Sequence, residues 1–397
     1  MVFIDVTGAC KSPRSTGMQR VTRRIFRELA QRVSVTPISW NAIGNRYQYL
    51  GRREQAILET PSHFLQRPSA RPEFRGEYFP AELHRQIFRK SIRLESELRN
   101  GDSVLFPDIF RDARLRKLPQ LLSKPGVRSV AIFHDAAGLL LPSLPSRRSK
   151  FERYIITLSR FDLVICISEA SRHDLLQLWS QLRVQPAETV VERWPIEKLG
   201  PIQEDQVPVA RAVVLCVGSF ESRKNHLTLL RAANGLWEKG VNFDLELIGR
   251  STGDNGRKVE AQLRKLRRSG RPIRWLKQVN DDVLHHAYRS CRFTVYPSLM
   301  EGFGLPIAES LLYGKPCVCG GNGALGEVAH GGGCLIVDQT NADAIAEAMD
   351  RLLLGEKLYS QLSAEARSRE FRSWPDYTDR LLAHLQTQAT TESSMIS

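Results

Sequence analysis

The chain has 397 residues, 42 % of them apolar and 8 % aromatic, and a net charge of +14 at pH 7. This composition excludes a disordered protein, and the length allows two domains that each bury a core. No run of eighteen apolar residues and no signal-peptide pattern are present, so we expect a cytoplasmic protein without a membrane-spanning helix.

The first half of the chain alternates short apolar runs with amphipathic stretches. Strands are predicted over Val2–Val6, Val33–Ser39, Ser103–Phe106, Ser129–Phe133 and Asp162–Ser168, and helices over Met18–Gln31, Arg147–Ser159 and Glu169–Ser180. Residues 40–100 are rich in Arg and Pro and fit this pattern poorly. We interpret them as a loop-and-helix insertion.

The alternation begins again after residue 211. Strands are predicted over Ala212–Val217, Phe243–Ile248, Ile273–Leu276, Phe293–Tyr296, Lys315–Cys319 and Leu335–Val337, and helices over Asn225–Glu238, Arg257–Arg268, Asp282–Ser290, Pro306–Tyr313 and Asn341–Leu354. Such spacing predicts an α/β fold of two doubly wound, parallel-sheet Rossmann-like domains that face each other across a cleft.

The break between the two domains is predicted near 198–211, a segment without apolar periodicity. We therefore expect an N-terminal domain over 1–200, a C-terminal domain over 201–385 and a disordered tail over 386–397. Residues 1–200 have a net charge of +13 and the remainder only +1. This asymmetry favours an anionic partner for the first domain, although a merely soluble, Arg-rich surface explains it equally well.

Seven cysteines, an odd number, lie mostly inside apolar runs, which is typical of reduced and buried thiols. The stretch Cys317-Val318-Cys319 lacks the spacing of a zinc site and has no second pair to complete one.

Two segments of the second half carry the candidate chemistry. An apolar strand ends at Gly218, and Arg223 and Lys224 follow just before a helix, an arrangement suited to a diphosphate. Alone, this corner is also compatible with an ordinary strand–helix turn. The second segment, Glu301-Gly302-Phe303-Gly304 with Glu309, places two carboxylates at a glycine-rich helix entrance, where sugar and ribose hydroxyls are natural partners.

The order of these motifs, with Gly321-Asn322-Gly323-Ala324-Leu325-Gly326-Glu327 after them, resembles the retaining glycosyltransferases of family 4, which have the GT-B fold. The resemblance covers nearly all of 205–385, includes Ser373-Trp374, and implies that the last helices cross back to the first domain. It is thinner in the first half, where Thr16-Gly17-Met18-Gln19-Arg20, Phe133-His134-Asp135 and Ile167-Ser168-Glu169 carry it.

The resemblance implies a division of roles at a nucleotide-sugar donor site. Arg223 and Lys224 would hold the diphosphate beside Gly218, Glu301 would bind the transferred sugar near Gly302, Phe303 and Gly304, and Glu309 would accept from the ribose. Backbone N–H groups of Gly323, Ala324 and Leu325 would contact the diphosphate or sugar, and Gly17 would approach the phosphate. His134 would bind a sugar hydroxyl or assist proton transfer, although a histidine at a strand end is often structural.

Two further features of the second half concern a loop glycine and a pair of histidines. The family often has proline where this chain has Gly326, so a more mobile loop and a less secure role for Glu327 are expected. His285-His286 lies on a predicted surface helix, and we expect both rings to be solvated.

The predicted reaction moves a hexose or deoxyhexose, with GDP-mannose and dTDP-rhamnose as leading donors, to a glycan or lipid-linked glycan in surface polysaccharide synthesis. No Asp-x-Asp triplet occurs, so we expect no metal and no other cofactor. The resemblance implies retention of anomeric configuration. We expect peripheral contact with an anionic membrane at its inner face. No nucleic-acid-binding signature is present.

Three alternatives remain at this point. A non-hydrolysing nucleotide-sugar epimerase would share the layout but should carry acidic and histidine residues for proton abstraction. A phosphorylase would need a pyridoxal-binding lysine and a far longer chain. A catalytically inactive nucleotide-sugar-binding homologue is hardest to exclude, although Arg223, Lys224, Glu301 and Glu309 are all present.

Overall fold

The computed structural model describes residues 1–11, 17–60, 91–141, 148–197 and 211–387. Thr16, residues 61–90 of the predicted insertion, residues 198–210 of the predicted linker and residues 388–397 of the predicted tail lie outside the described residues. The described chain forms two compact units. The first contains Met1–Ile167, Ser171–Arg193 and the late helix Trp374–Gln386, and the second contains Ser168–Ala170 and Trp194–Ser373.

The first unit is built on a sheet with the strand order β4-β3-β2-β1-β5-β6-β7-β8. The strands are β1 (Val2–Asp5), β2 (Val35–Asn41), β3 (Arg46–Tyr49), β4 (Ser91–Ile92), β5 (Ser103–Phe106), β6 (Arg128–Phe133), β7 (Leu163–Cys166) and β8 (Glu188–Val191). Helices pack on both of its faces, so β7 is a continuous run of fully buried apolar residues, and β6 is apolar and fully buried over Val130–Phe133.

The described helices that precede β8 in the chain are mostly short. They are α1 (Thr7–Cys10), α2 (Gly17–Ala30), α3 (Arg52–Glu59), α4 (Leu94–Glu97), α5 (Arg114–Leu122), α6 (Ala137–Leu140), α7 (Arg148–Leu158) and α8 (Glu169–Gln181).

One edge of this sheet corrects the sequence-based interpretation of residues 40–100. β3 pairs antiparallel with β2, and β4 pairs antiparallel with β3, so the segment contributes strands as well as a helix. Trp40 and Tyr47 face each other across this ladder with ring centroids 5.1 Å apart, an edge-to-face aromatic pair that fixes the register.

The second unit is built on a wholly parallel sheet with the order β11-β10-β9-β12-β13-β14. The strands are β9 (Val213–Val217), β10 (Asp244–Ile248), β11 (Ile273–Trp275), β12 (Phe293–Tyr296), β13 (Cys317–Cys319) and β14 (Cys334–Ile336). The helices are α9 (His226–Glu238), α10 (Gly253–Arg268), α11 (Asp281–Ser290), α12 (Leu305–Leu312), α13 (Gly323–Ala329), α14 (Ala342–Leu354) and α15 (Glu356–Arg367).

Alternate residues of β9 serve two cores, one on each face of this sheet. Val214 and Cys216 pack in the larger core, which contains residues of α9, α10 and α14. Val213 and Leu215 pack in a smaller core with residues of α11. Side chains alternate along a strand, and both sets here are apolar because both faces are covered. The predicted fold class of doubly wound α/β domains is confirmed.

The last described helix, α16 (Trp374–Gln386), belongs to the first unit. Ser103 Oγ donates to the Leu385 carbonyl at 2.6 Å, and Arg128 Nε donates to the His384 carbonyl at 3.1 Å. The C-terminal end of α16 is therefore fixed to β5 and β6.

All seven cysteines are free, and only Cys334 is more than slightly exposed. Among the described residues, no helix combines the length and the apolar character needed to cross a membrane.

In each sheet, the strand order reverses at one pair of neighbouring strands, and the connections that follow these two strands run in opposite directions along the sheet. In the first unit this switch point lies between β1 and β5, and in the second it lies between β9 and β12. Crevices at the carboxyl ends of such strand pairs are the usual binding places of open α/β sheets. We therefore expect functional side chains at these two switch points.

Candidate active site

The carboxylate of Glu301 is the centre of the switch point of the second unit. Its Oε1 accepts hydrogen bonds from Lys224 Nζ at 2.5 Å, Ser298 Oγ at 2.5 Å and Tyr296 OH at 2.9 Å. Its Oε2 accepts from Arg223 Nη1 at 2.8 Å. The structure thus brings Arg223, Lys224 and Glu301 together, although 77 residues separate Lys224 from Glu301 in the chain.

The ionisation of this cluster follows from burial opposed by charge pairing. Burial alone would raise the pKa of Glu301, but Lys224 and Arg223 beside it lower it to about 2. Burial lowers the pKa of Lys224 from its ordinary value, and the Glu301 carboxylate opposes that shift. Burial, followed by the charge of Glu301, raises the pKa of Tyr296. Glu301 is therefore ionised at neutral pH.

Arg223 and Lys224 occupy a short 3-10 turn, Ser222–Lys224, that follows β9. Leu299 N–H donates to the Arg223 carbonyl at 2.7 Å. Asn225 ends the turn in the left-handed conformation with φ 54°. The backbone that carries both cations is thus tied to the loop after β12.

Gly218 lies directly after β9 and borders Lys224 and His226. A Cβ there would meet Lys224 Cδ at 3.7 Å and His226 Cε1 at 3.8 Å, which are ordinary contacts, so protein neighbours do not require glycine at this position. Gly249 differs, because a Cβ on it would lie 1.8 Å from the Gly218 carbonyl oxygen. Sequence reasoning missed Gly249, whose only signal is a glycine directly after a buried strand.

The glycine-rich entrance to α12 has the local geometry that the sequence suggests. Gly304 is the N-cap with φ 102°, a conformation that favours glycine. Pro306 lies in the first helical turn, and Phe303 is buried. The Gly302 carbonyl accepts from Ser168 Oγ at 2.7 Å, within the short segment that groups with the second unit.

Glu309 lies in α12 and accepts a hydrogen bond from Tyr288 OH at 2.8 Å. Burial, followed by the charge of Glu309, raises the pKa of Tyr288. Tyr288 stacks on Tyr313 with ring centroids 5.3 Å apart, and His285 Nδ1 lies 2.6 Å from the Tyr313 hydroxyl. The expectation that His285 is solvated is therefore wrong, whereas His286 is exposed.

Gly323 begins α13 with φ 52°, and Ala324 and Leu325 are buried in its first turn. Gly326 lies inside this helix, where a Cβ would come within 2.2 Å of the Gly321 carbonyl oxygen. Close packing of backbone on backbone therefore explains the glycine, in place of the loop that we expected there. Glu327 accepts from the N–H groups of Glu169 at 3.1 Å and Ala170 at 2.6 Å, residues that group with the second unit.

The other two predicted site residues, Gly17 and His134, belong to the first unit. Gly17 is exposed at the start of α2. His134 is buried directly after β6, and its Nε2 lies 2.8 Å from the Pro107 carbonyl oxygen. Their parts in donor binding and catalysis stay predictions.

Sequence reasoning missed a second carboxylate cluster, at the carboxyl end of β1. Asp5 Oδ2 accepts from Arg114 Nη1 at 2.8 Å and from Tyr47 OH at 3.1 Å. Asp5 Oδ1 accepts from the Thr7 N–H at 2.9 Å and from Thr7 Oγ1 at 2.5 Å. The only sequence signal is a charged residue at the end of an apolar strand.

With this geometry described, comparison with known proteins identifies the second unit. Residues 202–369 match the family described as glycosyl transferases group 1. This region belongs to that family. The match spans the Gly218 corner, the Glu301–Glu309 stretch and α13, so the cluster around Glu301 lies within the matched region.

Several relatives of this chain are mannosyltransferases. The chain is 29 % identical over 274 residues to O-antigen chain mannosyltransferase B of Escherichia coli, covering 64 % of this chain and 69 % of that protein. It is 24 % identical over 417 residues to the serotype-specific mannosyltransferase WbdA of Escherichia coli, covering 97 % of this chain. The chain spans only 45 % of the length of WbdA.

Solved structures extend the likeness to both units. Sucrose-phosphate synthase from Thermosynechococcus elongatus superimposes with a TM-score of 0.68 at 18 % identity, covering 96 % of this chain and 97 % of that chain. This confirms the GT-B fold that the sequence predicts.

Proposed function

We propose that this glycosyltransferase moves a hexose, with mannose as the leading candidate, from a nucleotide-sugar donor to a glycan acceptor in surface polysaccharide synthesis. The observation that carries the proposal is the pairing of Arg223 and Lys224 on one carboxylate, Glu301, at the switch point between β9 and β12. The names of the two Escherichia coli mannosyltransferases support mannose over rhamnose as the transferred sugar.

The two cations suit the charge that develops as the donor reacts. When the bond between the anomeric carbon and the diphosphate oxygen breaks, negative charge collects on the leaving nucleoside diphosphate. Fixed cations near that oxygen lower the barrier without reorganising during the reaction. Arg223 and Lys224 are already fixed by Glu301 and by the backbone contacts of the Ser222–Lys224 turn, so little ordering is required when the donor binds.

Glu301 also suits the recognition of sugar hydroxyls. A carboxylate has about four acceptor positions. Three of the donors described above use Oε1 and one uses Oε2, so Oε2 has capacity for a hydroxyl of the transferred sugar. Glu309 accepts from Tyr288 through Oε2. We assign it to the ribose hydroxyls because the resemblance implies that role.

We propose retention of configuration and a reaction that needs no metal. The acceptor oxygen forms its bond to the anomeric carbon on the face from which the diphosphate leaves, and a donor phosphate oxygen takes the acceptor proton. Arg223 and Lys224 perform the electrostatic task that a divalent cation performs elsewhere. Among the described residues, no three His, Cys, Asp or Glu side chains are grouped as metal ligands are.

The direct test is a transfer assay with purified protein, GDP-mannose and a tagged α-mannosyl disaccharide, with and without EDTA. We expect GDP release coupled to formation of a trisaccharide, an axial new linkage by NMR, and no loss of rate with EDTA. A product of opposite configuration would contradict retention, and a rate abolished by EDTA would contradict a reaction that needs no metal. Conversion of GDP-mannose without acceptor to an epimer would favour the epimerase instead.

The charge of residues 1–200 supports a peripheral membrane site for this reaction, because a lipid-linked acceptor lies at the bilayer surface. Co-sedimentation with vesicles containing phosphatidylglycerol, compared with phosphatidylcholine alone, tests this part. We expect binding only to the anionic vesicles, weakening as salt increases. Equal binding to both vesicle types would overturn it.

A further inference from the structure

The switch point of the first unit contains a carboxylate that the donor site does not use. Asp108 follows β5, and Gly8 follows β1, the neighbouring strand. A Cβ on Gly8 would lie 2.0 Å from Asp108 Oδ2, so the carboxylate occupies space that only a glycine leaves open. Gly8 and Asp108 thus form one surface at the crevice between the two strands.

Asp108 retains most of its capacity to accept hydrogen bonds. Its Oδ1 accepts from the N–H of Ile109 at 2.8 Å, and within the described residues that is the hydrogen bond it makes. His134, after β6, lies close enough to act on its charge: burial raises the pKa of Asp108, and His134 opposes the rise. A partly exposed carboxylate with free acceptor positions is suited to a ligand that donates hydrogen bonds.

Tyr154 provides an independent observation at the same place. This side chain of α7 is fully buried, and its hydroxyl has no hydrogen-bond partner among the described residues. Phe110, two residues after Asp108 in the chain, packs edge-to-face on the Tyr154 ring with centroids 4.9 Å apart. Burial, followed by the charges of Asp108 and Asp135, raises the pKa of Tyr154. Buried hydroxyls without partners are uncommon and indicate a missing water or ligand group.

We propose that Asp108, supported by Tyr154, forms the subsite in the first unit that binds hydroxyl groups of the acceptor sugar. The proposal rests on the proposed function and extends it to the second substrate. Carboxylates accept from sugar hydroxyls and repel phosphate, so this subsite selects the neutral terminal sugar of the acceptor and not the diphosphate of a lipid carrier. Tyr154 donates to a water or hydroxyl that Asp108 also holds.

The test separates acceptor binding from donor binding by steady-state kinetics. Asp108→Asn keeps the shape of the side chain and removes its charge. We expect the KM for the α-mannosyl disaccharide to rise roughly tenfold or more, since a hydrogen bond to a charged group is lost. The KM for GDP-mannose should stay within about twofold, because no donor contact changes.

Asp162→Asn is the matched control. Asp162 accepts from Ser129 N–H at 2.7 Å and Ser129 Oγ at 2.6 Å at the amino end of β6, away from the carboxyl ends that form the crevice. Asp162→Asn removes the same charge in the same unit. We expect its KM values for the disaccharide and for GDP-mannose to equal those of the wild type. Tyr154→Phe removes only the unpaired hydroxyl, so it should raise the acceptor KM while leaving the melting temperature unchanged.

The outcomes distinguish this proposal from the one on which it rests. If the wild type transfers mannose but Asp108→Asn and Tyr154→Phe leave the acceptor KM unchanged, the subsite is wrong and the proposed function stands. If the wild type transfers nothing, saturation-transfer NMR with methyl α-mannoside still tests the subsite, with signal expected for wild type and lost in Asp108→Asn. Should Asp108→Asn fail to fold, Tyr154→Phe decides alone, because its hydroxyl contributes no hydrogen bond to the described structure.

Discussion

The two switch points are built on the same plan but have different chemistry. Between β9 and β12, Lys224 and Arg223 hold Glu301, with side chains 11 %, 21 % and 10 % exposed. Between β1 and β5, Arg114 holds Asp5, and the two side chains are only 8 % and 3 % exposed. The first cluster can meet a ligand, whereas the second is sealed by Thr7 and Tyr47.

This difference shows that a buried ion pair at the carboxyl end of a sheet does not by itself identify an active site. The greater exposure of Arg223 favours the cluster at Glu301 as the one that binds a ligand. The Asp5 cluster instead fixes the backbone after β1, since Thr7 Oγ1 also accepts from the Trp40 N–H at 2.8 Å. The comparison predicts that substitutions at Asp5 act on stability and substitutions at Lys224 act on turnover.

Asp5→Ala should produce the largest effect. It leaves Arg114 Nη1 and the Tyr47 hydroxyl without the carboxylate that accepts from both, although Asp112 still accepts from Nε and Nη2 of Arg114. Breaking a buried pair costs up to about 3–5 kcal/mol. We expect the first unit to lose that amount in urea unfolding followed by circular dichroism. Asp379→Ala, which removes an exposed pair with Arg32, is the control and should cost less than about 1 kcal/mol. A small effect of Asp5→Ala on stability would contradict the structural role of the Asp5 cluster.

Lys224→Met should have the next largest effect, on kcat. Removing one fixed charge that stabilises developing negative charge costs about 10²–10³-fold in turnover. Lys258→Met, on the exposed face of α10, removes the same charge and should leave kcat unchanged. Stopped assays of GDP release measure both variants. If both variants turn over at the wild-type rate, the cluster around Glu301 is structural like that around Asp5.

Acid should weaken the second unit through Glu301. The pKa of this carboxyl is about 2 in the folded protein against an ordinary 4.5. Its contribution to stability is therefore complete above pH 4.5 and is lost as the pH falls toward 2, by at most about 3 kcal/mol. Unfolding free energies between pH 6 and pH 3 measure it. Glu301→Gln should flatten this dependence, and an unchanged slope in that variant would contradict the assignment.

Gly304→Ala should have the smallest effect. A side chain at φ 102° costs about 1–2 kcal/mol, although the space around Gly304 admits a methyl group, with Ile307 Cδ1 at 3.6 Å. Gly235→Ala in α9, where no atom lies within 4 Å of the new Cβ, should be neutral or stabilising. Melting temperatures of the two variants give the difference. Equal melting temperatures would show that α12 can rearrange its entrance.

Much of this architecture could be predicted because parallel strands are continuous apolar runs. β5 and β12 coincide with the predicted strands Ser103–Phe106 and Phe293–Tyr296. The predictions missed β3, whose sequence Arg46-Tyr47-Gln48-Tyr49 is polar, because its stability comes from pairing with β2 and not from its own hydrophobicity. They also missed α5, where Pro119 lies inside the helix.

The candidate site was predictable where its residues stand in short local motifs. Arg223, Lys224 and Glu301 stand in motifs of the resemblance, and the structure places them in contact. Asp5 and Arg114 are 109 residues apart, and Tyr154 is one tyrosine among nine. Long-range contacts of this kind depend on tertiary packing, so no local sequence pattern predicts them.

The position of α16 has a consequence for biosynthesis. Because Trp374–Gln386 completes the first unit, the ribosome must synthesise the whole of Trp194–Ser373 before that unit has all of its parts. At ordinary elongation rates this delay lasts roughly 10–40 s. The second unit, whose segments are then all available, can finish folding first. Until α16 has been synthesised, the parts of β5 and β6 that it contacts stay uncovered in the nascent chain.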